Sequence, residues 1–553
     1  MAGVGSTPGI SAQAALVAEL RWRMFRNSLG SWKARLDLLA LIVVGAIAGF
    51  AALSIGVALG FGAYSFVEKG RPELLGISMW AVFAGWQLIP LMMVASTVEF
   101  DFRNLLSFPL RFPAFFLLSL IYGLFDPAGI TALVWLACIA TGILLARPEM
   151  WAWIVVVLGI YAGTNLMLNR LLLSWLERVL ERRRTREVFV VVLLLGMVAL
   201  PLAVALGERW GDRAEPFLRR LVPPGQVLPP GLAGKALAGA ARGNAAEAAA
   251  SSVLLAAYGA CFGLLLRRRL RAQYRGENLG EAQAPAATLA ESRAFTTGRS
   301  GWPAVADRVL PGPVAAVFEK ELRYVFRNGA TILNLVLPLI MVVFFAVAWS
   351  NPNQRPAVFA LATQFFFPLG VAYSFLILAP LAHNTFAFEN RGMQLLLAAP
   401  VRFREILLGK NLAHSTMIVL EACAIWLVLA LLVGPPGAMV AAATFSALAF
   451  AALVHFTAGN ILSLYFPRRF EDKLSQQRAA GVTVLIGLAL QIAVLGPAAG
   501  IFFLADWFGQ LWVAVPVFLG LSVVALRIYV WILERCTRIA AERREVLTAE
   551  LCR

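Results

Sequence analysis

The sequence predicts an all-α polytopic membrane protein of about twelve transmembrane helices, arranged as two parallel six-helix repeats, each preceded by an interfacial amphipathic helix. Three observations predict this. Apolar runs long enough to span a bilayer recur along the 553 residues, Lys and Arg gather in the short segments flanking them, and patterns of the first half return in order in the second. A bilayer core is about 30 Å thick, so each helical span needs roughly 20 mostly apolar residues. No water is present there to satisfy loose backbone groups. A composition 60% apolar and 14% charged, with mean hydropathy +0.77, excludes an ordinary soluble multidomain protein.

Residues 12–35 open the chain with an amphipathic stretch. Glu19, Arg23 and Arg26 share one helical face, and Trp22, Phe25 and Leu29 lie on another, as in a helix lying in the membrane interface. The first half, 1–272, then holds six apolar runs at about 37–62, 75–97, 114–145, 151–175, 187–207 and 249–267. The third is long for one span and contains Asp126-Pro127; proline removes a backbone donor there and predicts a bend or break. Between the fifth and sixth runs, VPPGQVLPPG resists regular structure, and the Ala-rich stretch after it is expected to form a surface helix.

Residues 273–311 are polar, Ala-rich and poor in large apolar side chains, and read as a flexible cytoplasmic linker. The second half, 312–553, begins with another amphipathic helix. Phe318, Leu322, Val325 and Phe326 form its apolar stripe, with Lys320, Arg323 and Arg327 opposite. Its six runs lie at about 330–350, 357–382, 411–433, 437–464, 479–504 and 509–533.

The net charge of +17 follows from this topology, not from nucleic-acid binding, because the 48 Lys and Arg flank the apolar runs. Arg391, Arg402, Arg404, Lys410, Arg468 and Lys473 fall in segments placed inside, as do Arg535, Arg538, Arg543 and Arg544 near the C-terminus. The positive-inside rule then sets both termini in the cytoplasm. No cleavable signal pattern opens the chain. Five scattered cysteines, none in a CxxC pair, indicate neither a disulfide framework nor a zinc site.

Ordered matches between the halves support the repeat. ELRWRMFRN (Glu19 to Asn27) pairs with ELRYVFRN (Glu321 to Asn328) with one gap, and LLSFPLRF (Leu105 to Phe112) pairs with LLAAPVRF (Leu396 to Phe403) without one. A weaker match sets AGTNLMLNR (Ala162 to Arg170) against AGNILSLYFPRR (Ala458 to Arg469). Six spans per half return the chain to the same side, so the repeat is parallel about an axis normal to the membrane.

Between the second and third runs of the second half stands FENRGMQLLLAAPVRFREILLGK, Phe388 to Lys410, charged and amphipathic. This segment, the helix bearing KELRYVFRN and the later GNILSLYFPRR occur in an order that resembles type-2 ATP-binding-cassette (ABC) transporter permeases. The resemblance implies the membrane subunit of an exporter, worked by separate ABC ATPase subunits, two per chain, in the cell membrane of a prokaryote. This chain would bind no cofactor, ATP and Mg being held by the partner ATPase. Docking would fall on Glu389, Arg391, Gly392, Leu396, Leu397, Pro400, Arg402, Arg404 and Lys410, with Leu395 and Phe403 as further apolar contacts. In the first half Leu105, Leu106, Pro109 and Arg111 would dock, although no glycine matches Gly392 and Ser119 stands where Lys410 lies. The alternative is that these leucines pack on the protein's own spans and the arginines only set topology.

Ionisable groups inside spans cost roughly 2.5–3.5 kcal/mol on insertion scales. Asp126 and Glu421 are therefore candidate polar residues of a pathway, and the uncharged Gln364 and Gln491 are candidates with them, each with the alternative of an interhelical hydrogen bond. No GxxxxGK[ST] loop, HExxH or other catalytic motif occurs. An ion- or proton-coupled secondary transporter with twelve spans, and more remotely a membrane enzyme or scaffold, remain open alongside the ABC reading. The transported substrate does not follow from the residues.

Overall fold

The apolar runs form helices in a computed structural model. It describes residues 32–93, 111–180, 225–275, 309–327, 329–350, 365–386, 389, 392–467 and 481–551, with scattered positions between 13 and 30. The fifth predicted run, 187–207, and nearly all of the linker lie outside the described residues, as do Leu105, Leu106, Pro109, Gln364 and Arg391.

In chain order the helices are α1 (Trp32–Glu68), α2 (Leu75–Met93), α3 (Phe112–Leu124), α4 (Pro127–Ala146), α5 (Trp151–Leu180), α6 (Pro229–Ala241) and α7 (Ala245–Tyr274) in a first compact unit. A second unit holds α8 (Gly312–Arg327), α9 (Gly329–Ser350), α10 (Phe366–His383), α11 (Gly392–Ala398), α12 (Phe403–Leu432), α13 (Ala438–Tyr465), α14 (Gly481–Trp507), α15 (Ala514–Glu542) and α16 (Arg544–Leu551). Among the described residues there is no strand, and nine helices are long and apolar enough to cross a membrane. The chain is an all-helical polytopic membrane protein.

In the first unit α1 packs mainly on α4. Gly56 and Gly60, one turn apart, meet Cys138 and Gly142, and a Cβ on Gly142 would lie 2.0 Å from the Gly60 carbonyl oxygen. Small residues let membrane helices approach in this way, where lipid supplies no hydrophobic drive for association. The rest of α1 carries exposed apolar side chains such as Leu41, Phe50 and Phe61, as a lipid-facing helix requires. The long third run is divided: α3 ends at Leu124, and Asp126 caps α4, accepting a 2.6 Å hydrogen bond from the Gly129 amide, with Pro127 in its first turn.

The Ala-rich stretch after the proline segment departs from expectation. It is α6, and instead of lying on the surface it is buried along most of its length against α2, α5 and α7. Pro229 and Pro230 fit its start because the first turn needs no N–H donors. Its residues are small because neighbours come close: a Cβ on Gly234 would sit 2.5 Å from the Gly76 Cα. The Arg147 guanidinium donates to the Ala241 carbonyl at 2.6 Å, satisfying one of the acceptors that a helix end leaves open. The small side chains of the expected surface helix instead permit its burial.

In the second unit α10, α12, α13 and α15 share a core that includes Phe375, Ile425, Phe456 and Leu533. α8 and α9 lean on α12, and α14 on α10 and α13.

Candidate functional site: a buried charge cluster at the start of α12

The apolar stripe of α8 seats it on α12. Phe318, Leu322 and Val325, spaced four and three residues apart, close over Ala413 and Met417. Gly409 sets how near the two helices come. A Cβ there would lie 2.8 Å from both the Val314 carbonyl oxygen and the Val317 Cβ. That approach brings Glu321 on α8 against the residue after the glycine, Lys410.

Lys410 is fully withdrawn from solvent, and Glu321 is 3% exposed. The Lys410 ammonium donates to Glu321 at 2.6 Å and to the Thr385 carbonyl at 3.2 Å, and it also pairs with Glu389. Lys320 reaches in from the exposed side of α8, 3.1 Å from Glu321 and paired with Glu389. The Phe386 ring lies 5.6 Å from the Lys410 nitrogen. Two carboxylates thus face two ammonium groups, so the burial of Lys410, costly alone, is compensated. Burial pushes the Glu321 carboxyl up, but Lys410 first and Lys320 next outweigh it and hold it at about 2. For Lys320 burial acts downward, and the charges of Glu321 and Glu389 reverse it, leaving the ammonium above its ordinary range.

The cluster fastens three elements. Glu321 belongs to α8, Lys410 to α12, and Thr385 and Glu389 to the turn between α10 and α11. The Glu389 carbonyl accepts from the Gly392 amide at 2.7 Å as α11 begins. Beside Lys410, the Asn411 side chain donates to Asn460 on α13 at 3.2 Å and to the Tyr529 hydroxyl on α15 at 2.9 Å. The first turns of α12 therefore bind α8, α13, α15 and the α10–α11 turn at once.

The side chains expected to dock divide in two. On α11, Met393 is buried, and Leu396 and Leu397 pack on the unit's own core, as does Phe403 at the start of α12. Leucines were expected on the contact face; 396 and 397 turn inward because α16 backs α11, with Leu547 and Leu551 buried in the same core. Leu395, 76% exposed, and the exposed Pro400 and Arg402 form the outer face. Arg404 is half-buried. Gly392 meets only ordinary contact, with the Glu389 carboxylate 3.5 Å from a built Cβ.

The first unit builds this junction differently. Ser119, at the position of Lys410, is buried, while Glu19, at the position of Glu321, is exposed and pairs with Arg23 at 2.6 Å. At the position of the buried Lys410 the first unit has the uncharged Ser119, and Glu19 is exposed. The Arg111 amide, just before α3, donates to the buried Gln13 side chain at 3.1 Å, a neutral tie where the second unit has charges.

Of the candidate pathway residues, Asp126 caps α4 and lies 3.9 Å from Arg170 on α5. Glu421 is buried on α12, accepts a hydrogen bond from Ser374 on α10, and leaves one carboxyl oxygen without a hydrogen-bond partner among the described residues. Gln491 on α14 is buried with both amide atoms in that condition. Sequence reasoning did not single out Glu321 or Lys320 as site residues, although both stand in the quoted KELRYVFRN pattern. Their partner Lys410 lies 89 residues beyond Glu321.

Residues 310–535, which span the cluster, match the model of a family described as a membrane protein of 12 TMs. The chain is similar there to a twelve-span family. No curated protein and no solved structure matches it.

Proposed function

We propose that this chain is the membrane-spanning subunit of an ATP-binding-cassette exporter, driven by separate ATPase subunits that dock on the segment between α10 and α12. The observation that carries the reading is the seat of α11. It presents Leu395, with the exposed Pro400 and Arg402 in the turn that follows it, and its base is fixed by Glu389 to Lys410 at the start of a long span. An exposed apolar residue flanked by a basic one suits a partner groove, with the charge setting register. A push on α11 would pass through the ion cluster into α12. ATP and Mg would reside on the ATPases, the docking side would be the cytoplasm of a prokaryotic cell, and both termini would lie there. The first unit has Ser119 where the second has Lys410, so the two ATPase contacts would be unequal.

Co-purification with the cognate ATPase tests this. Leu395→Asp and Arg402→Glu are expected to abolish ATPase retention and stimulated ATP hydrolysis while leaving the purified chain monodisperse. Full retention by both variants would sink the reading. One observation favours a second reading, an ion- or proton-coupled transporter: the buried Glu421 carboxylate with an open oxygen. Transport into vesicles that stops when the proton gradient is dissipated, yet ignores ATP, would establish that alternative.

A further inference from the structure

The matched sequences LLSFPLRF and LLAAPVRF end at Phe112 and Phe403, the first residues of α3 and α12. From there the two units differ. α12 runs unbroken to Leu432, and Phe403, Ile418 and Leu429, spread along it, enter a single core. The first unit has α3 and α4 instead, and they belong to separate cores. α3 buries Phe115 and Leu118 with Leu171 of α5 and with Leu266 and Leu270 of α7. α4 buries Trp135, Ile139 and Ile143 in a core shared with α1, α2, α5 and α6. A joint thus stands in the first unit where the second has a rod.

Little backbone bonding holds the joint. The Phe125 amide bonds back to the Ile121 carbonyl at 3.2 Å, and the Ile130 amide to the Asp126 carbonyl at 2.9 Å; among the described residues no backbone hydrogen bond runs from the α4 side to the α3 side. The helical partner of the Gly123 carbonyl would be residue 127, a proline without an N–H. A side chain supplies the tie. The Arg170 guanidinium, from α5, occupies the space that Gly123 leaves open, since a Cβ there would lie 2.9 Å from Cζ. Its Nη2 also lies 3.9 Å from Asp126 Oδ2, beyond hydrogen-bond length, while Asp126 Oδ1 accepts from the Gly129 amide at 2.6 Å. The cap of α4 and the contact with Arg170 use different oxygens, so the second can open without the first. The Arg170 side chain is 11% exposed, and so withdrawn a charge on a membrane helix is costly and marks a functional group.

We infer that α3 is a lever that swings about the break between Leu124 and Pro127, and that Arg170 is the positioning residue that latches it to α4. The Arg111 amide, just before α3, donates to the buried Gln13 at 3.1 Å, so the segment around Gln13 travels with the lever. A displacement on this side is taken up at the joint, whereas α12 carries one along its whole length. The inference is independent of the ATPase reading, because the joint and its latch lie within this chain.

The test uses the full chain, freed of its native cysteines, in phosphatidylcholine nanodiscs. Nitroxide labels on Leu117→Cys in α3 and Leu133→Cys in α4, both exposed in the parent, report the joint by pulsed electron–electron resonance. Labels on Phe50→Cys and Leu145→Cys, on α1 and α4, serve as control. Leu117 lies about 13 Å along α3 from Asp126, so a swing of about 20° moves it by about 5 Å. Arg170→Met is expected to widen the Leu117–Leu133 distance distribution by about that much and to leave the control pair unchanged. Adding Pro127→Ala, which returns a donor to the Gly123 carbonyl, should narrow it again. An unchanged width in Arg170→Met, equal widening of the control pair, or no narrowing with Pro127→Ala overturns the inference. Where Arg170→Met fails to fold, Gly123→Ala, which pushes the guanidinium off the end of α3, decides by the same measurement, and the parental width then overturns it.

Discussion

The Lys410 ammonium lies 2.6 Å from the Glu321 carboxylate, and both groups are out of water. Removing one member of such a pair strands the other. Lys410→Met leaves Glu321 and Glu389, among the described residues, with the half-exposed Lys320 as their ion-pair partner, and breaking buried pairs costs about 3–5 kcal/mol. The expected outcome is a marked fall in the unfolding midpoint of the purified chain. The double variant Glu321→Gln, Lys410→Met should lose less than the sum of the single changes, as contacting residues do. Additive losses would show that the two do not act as a unit.

The same pair predicts a dependence on acid. Glu321 titrates at about 2 in the folded chain against 4.5 for the free group. Because the folded value is the lower, its stabilisation is complete above pH 4.5 and is lost as pH falls from there through 2. The stability difference between the parent and Glu321→Gln should shrink across that window, measured by thermal unfolding in detergent. A difference that stays constant from pH 6 to pH 2 would contradict the assignment.

Gly459 is a contact point between α13 and α10. A Cβ there would come within 2.1 Å of the Ala382 carbonyl oxygen, which cannot move aside without shifting the helix. Gly459→Ala should destabilise by about 1–3 kcal/mol through overpacking. Gly163, its counterpart in the repeat, has nothing within 4 Å of a built Cβ among the described residues, so Gly163→Ala should be near neutral. Equal effects would show that the two sites are packed alike.

Asp126 can be separated into cap and pathway roles by chemistry. Asn also caps helices well, whereas Ala costs about 0.5–2 kcal/mol. Asp126→Asn should keep the thermal stability that Asp126→Ala loses. If transport fails in the stable Asn variant, the carboxylate serves the pathway as well as α4.

Much of the fold was legible because membrane spans declare themselves by length and hydropathy, which need no knowledge of partners. The break at Asp126 was also visible, since proline and a capping carboxylate act locally. α6 was not legible. Its glycines and alanines carry no periodic apolar signal, and close approaches such as that of Gly76 to Gly234 explain its small residues. At the charge cluster the charged members were all in quoted motifs, yet nothing in a linear chain tells Glu321 from Glu19. Their difference is the lysine that one finds at position 410 and the other does not find at Ser119. The direction of Leu396 and Leu397 likewise depended on α16, which no pattern tied to α11.

α16 has a mechanical meaning. It follows α15 through Arg543, whose guanidinium donates to the Leu464 carbonyl at 3.1 Å and stands over the Tyr465 ring at 4.9 Å, at the end of α13. α11 therefore rests on a strut braced against two long helices, while its other end is bolted to α12. A load applied to Leu395 would be divided between compression of that strut and rotation of α12, and the stiffness of the Arg543 brace would set the ratio.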